Sequence, residues 1–130
     1  MQLTHFQLLV AGLFVFAPSV AVAQNWYDTC QSTLPYVSGG YLYATCTTDS
    51  GTESSTALNL DACVANYGGQ LACAADGDFT ASCDSASCEL AAEDISVMEC
   101  YCENGSGSEV ASLVDLDSCI SNDNGILSCY

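Results

Sequence analysis

The sequence contains no lysine and no arginine, and its one histidine, His5, lies among the first residues. Nucleic-acid binding draws on cationic side chains to displace counterions from phosphate, so that class of partner is excluded. Anionic membrane surfaces are excluded for the same reason. Without histidine, a Ser, Cys or Thr nucleophile has only carboxylates as a base. Gly105-Ser106-Gly107-Ser108-Glu109 lacks the G-x-S-x-G spacing of a nucleophile elbow. Two carboxylates suffice for a glycosidase, yet no pair is singled out, and no enzymatic activity is expected. Large apolar residues are scarce beyond residue 23, where Leu, Ile, Val and Phe make up 18 of 107 positions. Such a composition with a formal charge of −16 ordinarily marks disorder.

Ten cysteines reverse that expectation. Their density belongs to small scaffolds held by disulfides in place of a large core. The compartment follows from Met1 to Ala23, which reads as a secretory signal peptide. Leu8 to Phe16 is its apolar core and Ala21-Val22-Ala23 its cleavage site. The run is short of the roughly 20 residues a membrane span needs, so secretion to the extracellular space is expected, without membrane insertion. The mature chain, residues 24–130, then has neither imidazole nor basic side chain. Uniform negative charge favours a soluble monomer. Metals and cofactors are not expected. Aligning Gly125 with the fixed glycine of an EF-hand places Ile120 at the first ligand, and exported cysteines oxidise rather than bind zinc.

An internal repeat organises the rest. Leu60-Asp61-Ala62-Cys63-Val64-Ala65-Asn66-Tyr67-Gly68-Gly69-Gln70-Leu71-Ala72-Cys73 recurs 56 residues later as Leu116 to Cys129, with seven of 14 positions identical. Trp26-x-x-x-Cys30 recurs as Phe79-x-x-x-Cys83 at an offset of 53. The mature chain therefore reads as one domain of two tandem repeats, about 25–75 and 78–130.

Tyr41 to Cys46 and Ile95 to Cys100 have strand composition and alternation. Asp61 and Asp117 are predicted to cap short helical turns, Asn66 and Asn122 to end them in the left-handed region, and Gly69 and Asn124-Gly125 to turn into a last strand. Asp49 to Thr56 and Asn104 to Ser108 read as hairpin tips. Trp26 and Phe79 suit the core of a chain with few large apolar residues.

These motifs in combination resemble the cyanovirin-N family, in its secreted, cysteine-rich fungal form, across the whole mature chain. The resemblance implies an all-β, pseudo-symmetric fold with a three-stranded sheet and a hairpin per half. It implies exchange of segments, one lobe combining about 25–62 with 119–130 and the other 63–118. It further implies a lectin for mannose-type oligosaccharides or glycoproteins bearing them.

Carried over by position, a first carbohydrate site would use an N-terminal strand with Trp26, Asp28 and Thr29, then Thr47 and Asp49, and finally Asn122, Asp123 and Asn124. A second would use Asn66, Tyr67 and Gly68, Asp78, and Glu103 with Asn104. The chain departs from the family at Gly68, where an acidic side chain is missing, and at Glu103 and Gly105, where some members carry basic residues. Asn104-Gly105-Ser106 is a glycosylation sequon at that second site, so Asn104 is a candidate glycan carrier and one working sugar site is expected. Asp61, Asp117, Asn66 and Asn122 also read simply as capping and turn residues. The alternative to a lectin is a secreted protein of the same fold that acts as an effector or structural protein.

Ten cysteines permit roughly 900 pairings, so sequence alone does not choose among them. The resemblance implies Cys30–Cys46 and Cys83–Cys102. Cys63–Cys73 and Cys119–Cys129, equivalent by the repeat, are expected each to clip its own hairpin. Cys88 and Cys100 are left for each other.

Overall fold

In both halves the alternating segments become seven-residue strands. The chain runs as β1 (Gln24–Asn25), a helical turn α1 (Trp26–Thr29), β2 (Tyr36–Ser38), β3 (Tyr41–Thr47), β4 (Glu53–Asn59), β5 (Val64–Tyr67) and β6 (Gln70–Cys73). The second half follows as β7 (Cys83–Leu90), β8 (Val97–Glu103), β9 (Glu109–Asp115), β10 (Ile120–Asp123) and β11 (Ile126–Cys129). This computed structural model describes residues 24–130, so the signal-peptide assignment lies outside the described residues.

The two halves build the same sheet, β2-β3-β4 and β7-β8-β9, all antiparallel. Each half then adds a hairpin, β5-β6 or β10-β11. The hairpin turns carry positive φ at both central residues, 62° and 97° at Gly68-Gly69 and 53° and 91° at Asn124-Gly125. That is the signature of a tight turn whose twist matches the strands, and it explains the glycine and asparagine at those positions.

Hairpins pack on the other half's side of the molecule. The Leu127 amide at the end of the chain donates to Thr56 Oγ1 of β4 at 3.1 Å, and β1 pairs with β10. The Leu71 amide donates to Ser112 Oγ of β9 at 2.8 Å. One lobe thus joins β1–β4 to β10–β11, and the other joins β5–β6 to β7–β9.

The core is duplicated with the fold. Trp26 and Phe79, Leu42 and Met98, Leu60 and Leu116, and Val64 and Ile120 are fully buried pairs related by the repeat. Large side chains of this kind contribute on the order of 2 kcal/mol each on burial, which makes so short a list thin and the crosslinks necessary.

All ten cysteines are paired, and two pairings differ from those expected. Cys30–Cys46, Cys83–Cys102 and Cys88–Cys100 are present. Cys63 joins Cys129 and Cys73 joins Cys119, so the hairpins are tied to each other instead of being clipped individually. Strand register gives the reason. Val64 lies opposite Cys73 and Ile120 opposite Cys129, which turns Cys63 and Cys119 to the other face from the partner each would need.

Four further expectations change. Residues 26–29 form a helical turn, not a strand. The short 3-10 turns at Leu60–Ala62 and Leu116–Ser118 are capped by Asn59 and Asp115, whose side chains accept from the Asp61 and Asp117 amides. Asn66 and Asn122 lie in strands β5 and β10 instead of ending a turn. The loop from Asp49 is also shorter, since β4 begins at Glu53.

Candidate functional site

Three chain segments meet at one end of the lobe that contains both termini. Asn122, 7 % exposed in β10, joins them: its Nδ2 donates to Thr29 Oγ1 of α1 and to the Thr47 carbonyl of β3, both at 2.9 Å. Its Oδ1 accepts the Gly125 amide at 2.7 Å and so holds the β10–β11 turn closed. Asn124, with φ of 53° in that turn, accepts the Asp49 amide on Oδ1 at 2.8 Å. This clamps the turn onto the β3–β4 tip, where Thr48 accepts the Thr52 amide at 3.1 Å. A Cβ at Gly125 would meet Thr48 Cγ2 at 2.7 Å, so the two loops approach as closely as glycine permits.

The exposed groups of this end include the carboxylates of Asp49 and Asp123 and the amide Nδ2 of Asn124, with the Thr47 and Thr48 side chains partly exposed. Acceptors and donors on rigidly held loops suit hydroxyl-rich ligands. Asn122 itself is buried, and both its donors and its oxygen are engaged inside the protein. Trp26 is 0 % exposed, so its ring is a core element and not a contact surface. Asp28 is exposed on α1 and lies within electrostatic reach of Asp117. Among the described residues it makes no hydrogen bond to the loops.

The second site repeats the frame without its clamp. Asn66 Nδ2 donates to Ser82 Oγ at 2.8 Å and to the Glu103 carbonyl at 3.0 Å, and its Oδ1 accepts the Gly69 amide at 2.8 Å. Ser82 stands where the first half has Thr29; the offset of 53 that relates Trp26 to Phe79 would have located it in the sequence. Gly68 replaces Asn124 and has no side chain with which to hold the β8–β9 tip. Gly69 instead packs against Asn104 and Val110.

Asp78 takes φ of 53° before the 3-10 turn Phe79–Ala81, and its backbone bonds to the Asp61 carbonyl and the Ala81 amide. Glu103 contributes its carbonyl to Asn66 and projects an exposed carboxylate. Asn104 Oδ1 accepts from the Ser106 amide at 3.0 Å and the Ser106 hydroxyl at 2.8 Å, which folds the sequon into a tight turn at the hairpin tip.

Asp61 and Asp117 have a role the sequence did not reveal. Asp61 accepts from the Thr80 amide and hydroxyl, and Asp117 Oδ1 accepts the Tyr27 amide at 3.1 Å. Each therefore ties its 3-10 turn to the start of the other repeat. Burial pushes the Asp117 carboxyl above its ordinary range. The Tyr27 amide opposes that shift, and the carboxylates of Asp115, Asp28 and Asp94 add to it. Among the described residues no group of three or more His, Cys, Asp or Glu is placed to hold a metal ion.

Comparison with known proteins agrees with this architecture. The sequence profile of the CVNH domain matches residues 25–128. The solution structure of GzCVNH from Gibberella zeae is similar with a TM-score of 0.66 and 24 % identity, over 81 % of this chain and 96 % of that one. Microvirin, in a structure with mannobiose, is similar with a TM-score of 0.63 and 27 % identity, over 82 % of this chain and 99 % of that one. A MoCVNH3 variant solved with (N-GlcNAc)4 shares the fold with a TM-score of 0.69 at 17 % identity, over 85 % of this chain and all of that one, 100 %. No curated protein matches the sequence.

Proposed function

The chain belongs to the CVNH family, and from that premise we propose that it is a secreted lectin for mannose-type oligosaccharides, with one working site, at the lobe that carries both termini. The observation that carries this reading is the Asn122 junction. It fixes the β3–β4 tip and the β10–β11 turn so that Asp49, Asp123 and Asn124 present polar groups side by side. Preorganised loops lose little conformational freedom on binding, which favours recognition of small, well-hydrated ligands. Waters bridge hydroxyls that the side chains do not reach. The mannobiose complex of microvirin supports the choice of sugar.

The second site is weaker in this reading, because Gly68 provides neither the clamp nor a polar contact. A glycan on Asn104 would also occupy its rim. The protein acts by binding and has no catalytic role. Residues 1–23 direct export and are removed.

Titration of unglycosylated protein with mannobiose, followed residue by residue in NMR spectra, tests the proposal. Amide shifts are expected around Asp49, Asp123 and Asn124, lost in Asp123→Ala and retained in Tyr67→Ala. Loss in Tyr67→Ala alone would move the site to the other lobe. Absence of any response in the parent protein would favour an effector or structural role on the same fold.

A further inference from the structure

The outer face of the β2-β3-β4 sheet carries a patch that the repeat does not require. Tyr36 and Tyr43 are paired across β2 and β3, with ring centroids 4.9 Å apart and planes 15° from parallel. Tyr41 continues the row, its ring 6.2 Å from that of Tyr43. Tyr36 is 56 % exposed and the neighbouring Leu34 77 % exposed. A cleft of about 180 Å³ beside the stack is lined by Thr33, Leu34, Tyr36, Tyr43, Thr45 and Ser55, among others. The Thr33 hydroxyl donates to Thr45 Oγ1 at 3.0 Å along its rim.

The equivalent face of the other sheet serves as an internal control. Where the first sheet pairs Tyr36 with Tyr43, the second pairs Glu89 with Glu99 at equivalent positions. Glu103 faces Glu109 four residues further along β8. The fold therefore tolerates charge at these sites, and stacked tyrosines are no structural necessity. On the first sheet the corresponding face carries Glu53 as its acidic residue, opposite Thr47. A chain with a net charge of −16 thus keeps one nearly neutral aromatic strip. Exposed apolar patches on a soluble protein mark contact sites.

We propose that this face is a glycan-binding platform separate from the loop site, and that it seats a pyranose ring of a neutral, gluco-configured β-linked oligosaccharide on the outer face of Tyr36, which the stacked ring of Tyr43 holds in place. The electron-rich ring face attracts the polarised C–H groups that such sugars present above and below their plane. Equatorial hydroxyls then point sideways to the Thr33, Thr45 and Ser55 hydroxyls. The small cleft, below the roughly 300 Å³ of an ordinary ligand pocket, suits one ring of a chain that continues across the open sheet. Charge selects against the other occupants. Anionic glycans and acidic peptides are repelled by the net charge of −16, and a second copy of the chain brings the same large negative charge. The proposal shares with the lectin reading only the ligand's general class.

NMR titrations with cellohexaose and with chitohexaose test it, with mannobiose as a separate arm. One of the two hexasaccharides is expected to shift Tyr36, Tyr43 and Thr45. In the double variant Tyr36→Glu/Tyr43→Glu, which copies the Glu89–Glu99 pair, the affinity should fall by about tenfold or more. The mannobiose response at the loops should be unchanged. Tyr36→Ala serves the same purpose should the double variant lose its folded spectrum.

The proposal is overturned if neither hexasaccharide shifts the patch, if the shifts fall on the loops instead, or if both variants bind as the parent does. It is equally overturned if the patch responds only to protein concentration or to an apolar peptide. A missing mannobiose response alongside intact hexasaccharide binding would refute the loop site and leave this one standing.

Discussion

Asn66 and Asn122, 56 positions apart, make the same three hydrogen bonds in the two lobes: two from Nδ2 across to the other repeat's segments and one on Oδ1 from the glycine that closes the adjoining turn. Both are therefore framework residues. Asn122→Ala leaves a buried carbonyl and amide unpaired and is expected to cost about 2–3 kcal/mol. Asn66 is more accessible, and Asn66→Ala should cost about 1–2 kcal/mol. Urea denaturation of both variants checks the order. Equal stability of Asn122→Ala and the parent would refute the framework role.

Each of the two bridges between hairpins should stabilise the fold more than any of the three shorter bridges does. Cys63–Cys129 closes a separation of 66 residues and Cys88–Cys100 one of 12. In the chain-entropy account these contribute about 4 and about 3 kcal/mol, respectively. The double variant Cys63→Ser/Cys129→Ser should accordingly melt lower than Cys88→Ser/Cys100→Ser. Non-reducing peptide maps should recover Cys63 with Cys129 and Cys73 with Cys119.

The bridges also show how far the sequence could be read. Strands, turns and the buried Trp26 and Phe79 follow from alternation, glycine placement and the scarcity of large apolar residues, all local properties. The pairing of Cys63 and Cys73 is not local. The repeat maps Cys63–Cys73 onto Cys119–Cys129, and it also maps Cys63–Cys129 onto Cys119–Cys73, so both schemes satisfy the symmetry. Only strand register distinguishes them. Likewise the capping residue could be Asn59 or Asp61 by type, and Asn66 could end a turn or brace one. Proximity in sequence favoured the local answer in each case, whereas long-range bonds such as Asp61 to Thr80 decide the roles. Asp49, Asn122 and Asn124 do meet, because the hairpin turn and the β3–β4 tip were both legible. Tyr36 and Tyr43 carried no signal until pairing brought them together.

Acid should strengthen the fold over a defined range. Sixteen carboxylates without a basic partner repel one another, and protonation or added salt relieves that repulsion. The melting temperature should therefore rise from pH 7 to pH 5, and also with salt at pH 7. Asp117 follows this trend and Asp94 opposes it. Asp117 has its carboxyl raised by burial, so its contribution is favourable below the unfolded value and is lost as pH rises through the folded one. Asp94 is held low by hydrogen bonds from the Ser96 hydroxyl and amide, so its contribution is present above the unfolded value and is lost as pH falls through the folded one. Asp117→Asn should raise the melting temperature at pH 7 and Asp94→Asn should lower it, with both differences shrinking at pH 3. The same sign for both variants at pH 7 would contradict this account.

Trp26 is the one tryptophan of the chain, and its buried Nε1 has no hydrogen-bond partner. An orphaned donor of this kind costs about 1–3 kcal/mol, close to what the extra ring contributes by packing. Phe79 fills the equivalent position in the other lobe. Trp26→Phe is therefore expected to stay within about 1 kcal/mol of the parent, whereas Trp26→Ala should cost about 3–5 kcal/mol. Calorimetry of the two variants distinguishes loss of volume from loss of the indole itself.

Considered as a covalent graph, the five bridges make the molecule nearly indifferent to a single backbone cut. Any break between Cys30 and Cys46, or between Cys63 and Cys129, falls inside at least one closed ring, so both fragments stay attached. The exposed tip at Asn104 to Ser108 and the turn at Gly68 are both protected in this way. Trypsin-like proteases find no lysine or arginine to cleave. The stretch from Cys46 to Cys63 is bridged by nothing, and the β3–β4 tip lies within it. Cleavage there would free the segment carrying α1 and β3, including Thr29, Thr47 and Asp49. Between Cys30 and Cys129, this stretch is where a single break can divide the chain, and it contains the loop to which Asn124 is clamped.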